Sequence, residues 1–223
     1  MSSTVIAIDG PAASGKTTAA KNLAEKLHIP YINTGSLYRA IAWKAYQNQI
    51  PFSDETALKN MLLNTKIQYR EKNPDENPEI EIDGVFPGEE LRKPHIAKGA
   101  SDVAALSAVR GYALQIQRET AKTQLVVLEG RDIGTVIFPD AKYKFFFHAS
   151  AEVRAKRRLA QIGEIADGAT LESVIKEIEE RDFQDTMRSI APLKAAPDAI
   201  LINTDHLNQD EVTELLLQHI AQN

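Results

Sequence analysis

The chain contains the eight-residue run GPAASGKT from Gly10 to Thr17, which matches the pattern GxxxxGK(S/T). Glycines let such a loop curl so that its backbone N–H groups face a phosphate chain, and the start of the following helix adds partial positive charge. Lys16 is suited to bridge the outer phosphates, and the Thr17 hydroxyl is suited to bind Mg²⁺. An ordinary glycine turn is the alternative, but this loop follows an apolar run and precedes a helical pattern, as a phosphate loop does.

We therefore predict an ATP site with Mg²⁺ as its cofactor. Its loop residues are expected to be Gly10, Pro11, Ala12, Ala13, Ser14, Gly15, Lys16, Thr17 and Thr18. Two acidic residues, Asp9 and Glu129, each follow an apolar run. Either could hold a metal-bound water or simply end a strand, and the sequence leaves both possibilities open.

Arginine is unevenly distributed along the chain, because eight of the 11 arginines lie at or after Arg110. In a protein of net charge −5, this clustering indicates a local anion pocket, because guanidinium binds phosphate oxygens with two parallel hydrogen bonds. Arg181, Asp185 and Arg188 are spaced i, i+4, i+7 and should share one helix face. The alternative for these three residues is a salt-bridge ladder on the helix surface.

A second arginine group, Arg154, Arg157 and Arg158, has the spacing i, i+3, i+4 and precedes a glycine-containing loop at residues 163–168. We predict that these are lid arginines that close over the phosphates of ATP. The alternative for any one of them is a solvated position on a basic helix face.

A length of 223 residues with 43% hydrophobic composition suits one domain with small inserted parts. The net charge of −5 argues against binding to nucleic acid or to an anionic membrane, which usually needs a basic surface. There is no cysteine and the five histidines are scattered, so a thiolate or histidine metal site is not expected. The sequence has no signal-peptide pattern and no run of about 18 apolar residues. We predict a soluble, cytoplasmic monomer.

Apolar runs alternate with helical patterns along the chain, which predicts a parallel sheet with helices on both faces. Five strands are expected, at residues 4–8, 30–33, 125–128, 143–147 and 199–202. Helices are expected after Gly15 and at residues 35–49, 104–121, 151–162 and 171–189. A final helix should begin with a capping box formed by Asn208 and Glu211.

The pattern changes between residues 53 and 98. Residues 66–70 and 79–82 alternate between apolar and polar side chains, as half-exposed strands do, and the polar segment 71–78 lies between them. Asp83-Gly84 is a hairpin signal. We predict a small antiparallel insertion here that is separate from the main sheet.

The sequence resembles bacterial cytidylate kinases over essentially the whole chain. The resemblance is carried by IDGPAASGK at residues 8–16, TGSLYR at 34–39, GRDIGTVIFP at 130–139 and ERDFQDTMR at 180–188. The last two segments are far more specific to the family than the phosphate loop.

The resemblance implies an α/β, P-loop NMP-kinase-like fold with a five-stranded parallel sheet, helices on both faces, a small antiparallel insertion and a short lid. It implies one domain over residues 1–223, with a core at 1–33, 104–150 and 190–223. The monophosphate-binding region would cover residues 34–103, with the insertion at about 64–98 and the lid at about 154–188.

Cytosine presents a donor at N4 and acceptors at N3 and O2. The resemblance assigns Asp132, an acceptor, to N4, and assigns the donors Arg110 and Ser101 to N3 and O2. Each has an alternative: Ser101 could cap a helix, Arg110 could be a solvated helix arginine, and Asp132 could close a turn.

The other acceptor residues follow from the resemblance as well. Arg39, Arg131 and Arg188 would clamp the CMP phosphate, and Lys16, Arg131 and Arg188 would act on the moving phosphoryl group. Arg181 and Asp185 would reach the sugar hydroxyls. Thr34 and Tyr38 would line the pocket, although Thr34 could instead cap its helix.

The implied activity is transfer of the terminal phosphate of ATP to CMP or dCMP. The acceptor phosphate is already an anion, so positioning and charge neutralisation should suffice without a general base. Two alternatives stay open: a kinase for UMP or a non-nucleotide acceptor, and a non-enzymatic ATP-dependent switch that binds a protein. A GTPase is not expected, because its guanine-binding NKxD pattern is absent.

Overall fold

The structure is a computed structural model that describes residues 5–73, 76–122, 124–160 and 168–222. In these ranges the strands are β1 Val5–Asp9, β2 Tyr31–Asn33, β3 Ile67–Arg70, β4 Glu79–Ile82, β5 Val126–Gly130, β6 Tyr143–His148 and β7 Ile200–Asn203. Five of them form one parallel sheet in the order β2-β5-β1-β6-β7. The predicted five-stranded parallel sheet is confirmed, and each predicted strand overlaps its observed counterpart; residue 4, predicted to open the first, lies outside the described residues.

Helices surround this sheet. They are α1 Lys16–Leu27, α2 Thr34–Gln47, α3 Glu55–Leu63, α4 Pro94–Ala104, α5 Ser107–Thr120, α6 Ala151–Leu159, α7 Leu171–Met187 and α8 Gln209–Ala221. A 3-10 turn covers Gly88–Arg92 and a π-helical turn covers Ile133–Ile137. The predicted capping box is confirmed, because the Asn208 side chain accepts from the N–H of Glu211 while the Glu211 side chain accepts from the N–H of Asn208.

The apolar strands are explained by helices on both faces of the sheet. Side chains of β1 alternate between the two faces: Ile6 and Ile8 pack in a cluster that includes Leu23 of α1 and Leu216 of α8. Val5 and Ala7 point to the opposite face, into a cluster that includes residues of β5 and the π-helical turn. A separate core joins α2, α3, α4 and α5 to the small sheet.

The predicted helix at 104–121 begins only at Ser107. Leu106 has an extended backbone (φ −88°, ψ 133°) that separates α4 from α5. One apolar periodicity spans this break, because Ala104, Val109 and Ala113 are all buried in the same core. The sequence therefore suggested a single helix, whereas the predicted range covers the last residue of α4 and all of α5.

The region from 53 to 98 is more helical than we predicted. This region contains the predicted antiparallel strands, but it also contains helices α3 and α4, which we did not predict. Asp54 caps α3 by accepting from the N–H of Ala57 at 2.9 Å, and α4 begins with a proline at its first position. Helix α4 runs across residue 98, where the insertion was predicted to end, and the division into core, monophosphate region and lid stays a prediction.

Strands β3 and β4 form the predicted antiparallel pair, with Ile67 opposite Ile82. Asp83-Gly84 does form a tight two-residue turn with positive φ at both positions, but it joins Ile82 to a single bridged residue, Val85. The small sheet contacts the edge strand β2 of the main sheet. The Tyr69 hydroxyl donates to the Asn33 carbonyl at 3.1 Å, beside the start of α2.

The topology brings three loops together at one edge of the main sheet. The carboxyl ends of the parallel strands β1, β5 and β2 are neighbours there, and ligands of open α/β sheets bind at this edge. The phosphate loop leaves β1, helix α2 leaves β2, and the Arg131-Asp132 turn leaves β5.

Candidate active site

The phosphate loop occupies residues 10–15, between β1 and α1. Gly10 has φ +147°, and a Cβ there would lie 2.4 Å from the Phe147 carbonyl oxygen, so only glycine fits. Gly15 also has positive φ, at the N-terminal end of α1. The backbone therefore curls as the sequence pattern predicts, and the free end of α1 points its N–H groups toward the cleft.

Lys16 is buried at 5% exposure inside this curl. Its ammonium group donates to the Pro11 carbonyl at 2.6 Å and to the Ser14 hydroxyl at 3.3 Å. Burial, together with the nearby charge of Arg131, lowers the pKa of Lys16 to about 7. An anionic ligand at this place would favour the charged amine, because it would replace the solvation lost by burial.

Glu129, which the sequence left ambiguous, lies at the centre of a buried hydrogen-bond group. One of its carboxylate oxygens accepts from the Thr17 hydroxyl at 2.8 Å and from the Tyr31 hydroxyl at 2.6 Å. Burial and the charge of Glu129 raise the pKa of Tyr31, so the phenol remains a donor. With its proton held by Glu129, the Thr17 oxygen keeps its lone pairs for a cation.

Asp9, the other residue whose role the sequence left open, binds backbone N–H groups of the turn after β5. Its two carboxylate oxygens accept from the backbone N–H groups of Ile133 and Gly134, each at 2.8 Å. It therefore holds the turn that follows Asp132, with one backbone N–H group bound to each of its oxygens.

A cleft of about 1320 Å³ lies above these loops. It is lined by the phosphate loop, the start of α2, α4, the Arg131-Asp132 turn, α7 and the insertion. All the predicted site residues line it except Gly10, Pro11 and Arg154. The predicted donor and acceptor residues are thus brought together in one cavity.

The arginines of α7 are part of a buried charge group and not of a surface ladder. Asp185 of α7 is buried and accepts from Nε of Arg131, in the turn after β5, at 3.0 Å. It also lies 3.5 Å from the Arg188 guanidinium. Burial acts to raise the pKa of Asp185, but Arg131, Arg181 and Arg188 outweigh it and the pKa is lowered. The surface-ladder alternative is therefore wrong.

Several cations converge in this wall of the cleft. Burial and the charge of Arg131 lower the pKa of Arg181 to about 10, and the charges of Arg39 and Arg158 act in the same direction. Arg188 donates from Nε to the Ala191 carbonyl at 2.6 Å, which fixes its guanidinium at the end of α7. Guanidinium groups that repel one another this closely form a strong site for an anion.

Arg110 and Asp132 form a direct ion pair in another part of the cleft wall, and their side chains are 8% and 5% exposed. Arg110 also donates to the Ala104 carbonyl at 3.2 Å and lies over the Tyr38 ring, 5.6 Å from its centroid. Burial raises the pKa of Tyr38 to about 12. Arg110 is therefore not a solvated helix arginine.

The alternatives for Ser101, Asp132 and Thr34 are also wrong. Ser101 lies inside α4, away from the cap position. The carboxylate of Asp132 faces Arg110 and makes no capping hydrogen bond to its own turn. Helix α2 is capped by Asn33, whereas the Thr34 hydroxyl donates to the Glu129 carbonyl at 2.7 Å and ties α2 to β5.

Arg39 reaches from α2 toward the insertion. One of its nitrogens donates to the Leu91 carbonyl at 3.4 Å, and Leu91 belongs to the 3-10 turn of the insertion. Arg39 therefore connects the predicted monophosphate region to the same cleft wall.

The three predicted lid arginines do not occupy equivalent places. Arg154 is buried, pairs with Asp182 at 2.6 Å and donates to the Ala12 carbonyl of the phosphate loop at 3.3 Å. It lies behind the loop and connects α6 to α7. Arg157 and Arg158 line the cleft, and Arg157 donates to the Thr204 hydroxyl at 3.0 Å. Most of the predicted lid loop, residues 163–167, lies outside the described residues.

Sequence reasoning missed Tyr31 and Thr204. The Thr204 hydroxyl donates to the Ser14 carbonyl at 3.0 Å and so supports the phosphate loop from the end of β7. No local signal marks either residue, because Tyr31 resembles a core aromatic in a strand and Thr204 follows a strand 190 positions from its partner.

The family model for cytidylate kinase matches residues 6–222 of the chain. The chain belongs to the cytidylate kinase family. It is 43% identical to a cytidylate kinase of Desulforamulus reducens, with 95% of this chain and 94% of that protein covered. It is 45% identical to a cytidylate kinase of Thermosipho melanesiensis, with 97% and 96% covered.

Solved structures show the same fold at low sequence identity. A shikimate kinase from Bacteroides thetaiotaomicron superposes with a TM-score of 0.52 at 15% identity, over 98% of each chain. A gluconokinase from Sinorhizobium meliloti superposes with a TM-score of 0.50 at 15% identity, over 98% of this chain and 91% of that one. The P-loop kinase fold of this family member is thereby confirmed. Over the described residues, no helix is long and apolar enough to cross a membrane.

Proposed function

We propose that this member of the cytidylate kinase family transfers the γ-phosphate of ATP to CMP or dCMP, giving ADP and CDP or dCDP. The observation that carries the proposal is the arrangement of one cleft. Its phosphate loop faces a group of arginines, and beside them lies a buried Arg110–Asp132 pair with the donors and acceptors that cytosine requires.

ATP would bind with its phosphates in the loop at residues 10–15. The N–H groups at the start of α1 and the ammonium of Lys16 would contact the phosphate oxygens. Arg157 and Arg158 also line the cleft and would add charge from α6, and a Cβ at Gly15 would lie 3.9 Å from the Arg157 guanidinium. Arg154 supports the loop from behind, through its hydrogen bond to Ala12.

Mg²⁺ fits beside Thr17. The Thr17 hydroxyl would be a direct ligand and Glu129 would hold a metal-bound water, in a site completed by phosphate oxygens. Among the described residues no group of three or more acidic or histidine side chains forms a ready cation cage, which agrees with an ion that arrives with ATP. When bound, the ion would neutralise charge on the transferring phosphate.

The acceptor base would be read by Arg110, Asp132 and Ser101. Cytosine N4 is a donor and suits the carboxylate of Asp132, while N3 and O2 are acceptors and suit Arg110 and Ser101. Uracil reverses the polarity at positions 3 and 4, so UMP would leave buried groups unpaired. Sites that hydrogen-bond a substrate in this way can favour it over a mismatched analogue by up to about 10⁴-fold in kcat/KM.

The acceptor phosphate would lie among Arg39, Arg131 and Arg188, with Arg181 and Asp185 at the sugar. The phosphate oxygen of CMP is the nucleophile and needs no deprotonation by the protein. Lys16, Arg131 and Arg188 would neutralise the charge that shifts from the γ-phosphoryl group to ADP. The chemistry of this chain is therefore positioning and electrostatic stabilisation.

A coupled ADP-release assay tests the proposal, with CMP, dCMP, UMP, AMP and shikimate as acceptors and a no-acceptor control. The expected result is rapid release with CMP or dCMP and little with the others. Equal rates with all acceptors, or ATP binding without acceptor-stimulated release, would overturn the proposal and would indicate another kinase or a non-enzymatic switch. Monomeric state, cytoplasmic location and absence of nucleic-acid binding stay predictions from the sequence.

A further inference from the structure

Asp9 is a buried carboxylate at the junction of the donor and acceptor sites. It is the last residue of β1, 5% exposed, and is followed directly by Gly10 of the phosphate loop. In the sheet it lies between Gly130 of β5 and Phe146 of β6. Its main chain thus continues into the ATP loop, while its side chain reaches the residues that follow Asp132.

The partners of Asp9 are the first N–H groups of the π-helical turn. The N–H groups of Ile133 and Gly134 donate to its two oxygens at 2.8 Å each. Such groups at the start of a helical turn have no partner within the turn itself. Asp9 therefore caps this turn from a neighbouring strand, and Asp132, which immediately precedes the turn, makes no side-chain cap of its own.

Gly134 lies between the side chains of Asp9 and Lys144. A Cβ there would lie 3.2 Å from the Lys144 side chain and 3.5 Å from a carboxylate oxygen of Asp9. The capped turn is thus clamped between Asp9 and Lys144, and Lys144 is itself held by Asp198 at 2.7 Å.

Burial raises the pKa of Asp9 to about 6, even though the two N–H donors lower it. Burying a carboxylate lowers the free energy of unfolding more than burying an amide or an apolar side chain of similar size would. The cost is consistent with a requirement for two acceptors at one place.

We infer that Asp9 is a positioning residue that holds the Arg131-Asp132 turn in register with the phosphate loop and thereby sets acceptor discrimination. The inference rests on the proposed function, since it assigns to Asp132 the reading of the base. Asp9 touches neither ATP nor CMP in this account; it acts through the turn.

Asp9→Asn is the direct test. Asparagine keeps one carbonyl acceptor but turns an NH₂ group toward the second backbone N–H. The expected result is a fall of about 10- to 100-fold in kcat/KM for CMP, as for loss of a hydrogen bond to a charged group. The CMP/UMP ratio should narrow. The Kd for ATP, measured with a fluorescent ATP analogue, should rise by a smaller factor than kcat/KM for CMP falls, because loss of the Asp9 charge reaches ATP only through the pKa of Lys16.

Two further variants separate positioning from stability. Gly134→Ala places a methyl group 3.2 Å from the Lys144 side chain, so it crowds the same turn from the side opposite Asp9 and should narrow the CMP/UMP ratio as Asp9→Asn does. Ile202→Ala removes a buried side chain of β7, in a core cluster that excludes the turn, and should lower stability without changing the ratio. A ratio unchanged in both Asp9→Asn and Gly134→Ala would overturn the inference.

Hydrogen exchange gives a readout that does not depend on the acceptor. In Asp9→Asn, amide protection should fall selectively in residues 131–138, and in Ile202→Ala it should not. Retained protection there would overturn the inference even if the protein phosphorylates CMP. Conversely, a wild-type protein that does not prefer CMP to UMP refutes the proposed function, while lost protection in Asp9→Asn would still show that Asp9 anchors the turn.

Discussion

The guanidinium of Arg110 and the carboxylate of Asp132 pair directly with each other in the cleft wall, where both side chains are buried. They come from α5 and from the turn after β5, so the pair connects two separate elements across the acceptor site. Cytosine would insert its own donor and acceptors between the same two groups. The pair therefore holds each group oriented for a base that has the matching polarity.

The first prediction concerns the stability that this pair confers. Arg110→Met should destabilise the fold by about 2–3 kcal/mol, because it removes the direct partner of buried Asp132 and leaves the Arg188 guanidinium, at 3.7 Å, as the nearest counter-ion. Burial already raises the pKa of Asp132 and Arg110 opposes that rise, so the variant should raise the pKa further. A raised native pKa means that stability is lost as pH rises.

Urea unfolding at pH 5 and pH 8 measures this effect. The stability gap between wild type and Arg110→Met should be larger at pH 8. In the double variant Arg110→Met/Asp132→Asn, the additional pH dependence should disappear because no carboxylate remains. A gap that is equal at both pH values in the single variant would contradict the assignment.

The second prediction concerns proton uptake by Lys16. Burial and Arg131 lower its pKa to about 7, whereas bound phosphates favour the charged amine. ATP binding at pH 8 should therefore take up protons, and ATP affinity should fall as pH rises from 7 toward the ordinary lysine value of about 10. Calorimetry in two buffers with different ionisation enthalpies should give different binding heats.

Lys16→Arg is the matched control, since arginine keeps its charge over this range. It should abolish the buffer dependence of the binding heat. Identical heats for the wild-type protein in both buffers would show that Lys16 is charged before ATP arrives.

The third prediction separates the arginines of α6. Arg154 is buried and pairs with the half-buried Asp182, so Arg154→Met should lower stability by about 2–3 kcal/mol, or roughly 4–12 °C in Tm for a chain of this size. Arg158 lines the cleft, so Arg158→Met should raise KM for ATP with little change in Tm. Thermal unfolding and steady-state kinetics on both variants decide this; equal Tm values would contradict the structural role of Arg154.

The fourth prediction concerns Tyr31, whose hydroxyl donates to the same Glu129 oxygen as Thr17 does. Tyr31→Phe should loosen Glu129 and raise the Mg²⁺ concentration needed for half-maximal rate by about 2- to 10-fold, as for one hydrogen bond. Mn²⁺ binding in the presence of ATP, followed by electron paramagnetic resonance, should weaken similarly.

Tyr69→Phe is a matched control for Tyr31. It also removes one buried tyrosine hydroxyl, but that hydroxyl donates to the Asn33 carbonyl and not to Glu129. Its metal dependence should stay close to that of wild type. Equal shifts in the two variants would mean that Tyr31 acts through general packing.

The sequence predicted those parts of the site that are local in the chain. The phosphate loop is a contiguous pattern, and the spacing of Arg181, Asp185 and Arg188 predicted one shared helix face, from which all three line the cleft. Spacing alone could not show that Asp185 pairs with Arg131, because that contact joins residues 54 positions apart.

Other features depend on long-range packing and were therefore missed or left open. Arg154 and Arg157 share a predicted helix face, yet one is buried against Asp182 and the other lines the cleft. The role of Asp9 depends on a turn more than 120 positions away. Helix α4 does have apolar residues at helical spacing, with Ile96, Ala100 and Val103 buried, but it crosses residue 98, where the insertion was predicted to end, and so was not recognised.

The fifth prediction addresses base selection by Asp132. Asparagine has nearly the shape of aspartate, but its amide can present either C=O or NH₂. Asp132→Asn should lower kcat/KM for CMP and raise the relative use of UMP, since the amide can donate to O4 of uracil. Asp182→Asn is a control with the same chemical change at a carboxylate outside the residues that line the cleft.

The CMP/UMP ratio of kcat/KM, measured at saturating ATP for the wild type and for Asp132→Asn, tests the central claim most directly. The predicted result is a strong preference for CMP in the wild type, a ratio at least about tenfold smaller in Asp132→Asn, and an unchanged ratio in Asp182→Asn. A wild type without preference, or an Asp132→Asn variant that slows both acceptors equally, would contradict it.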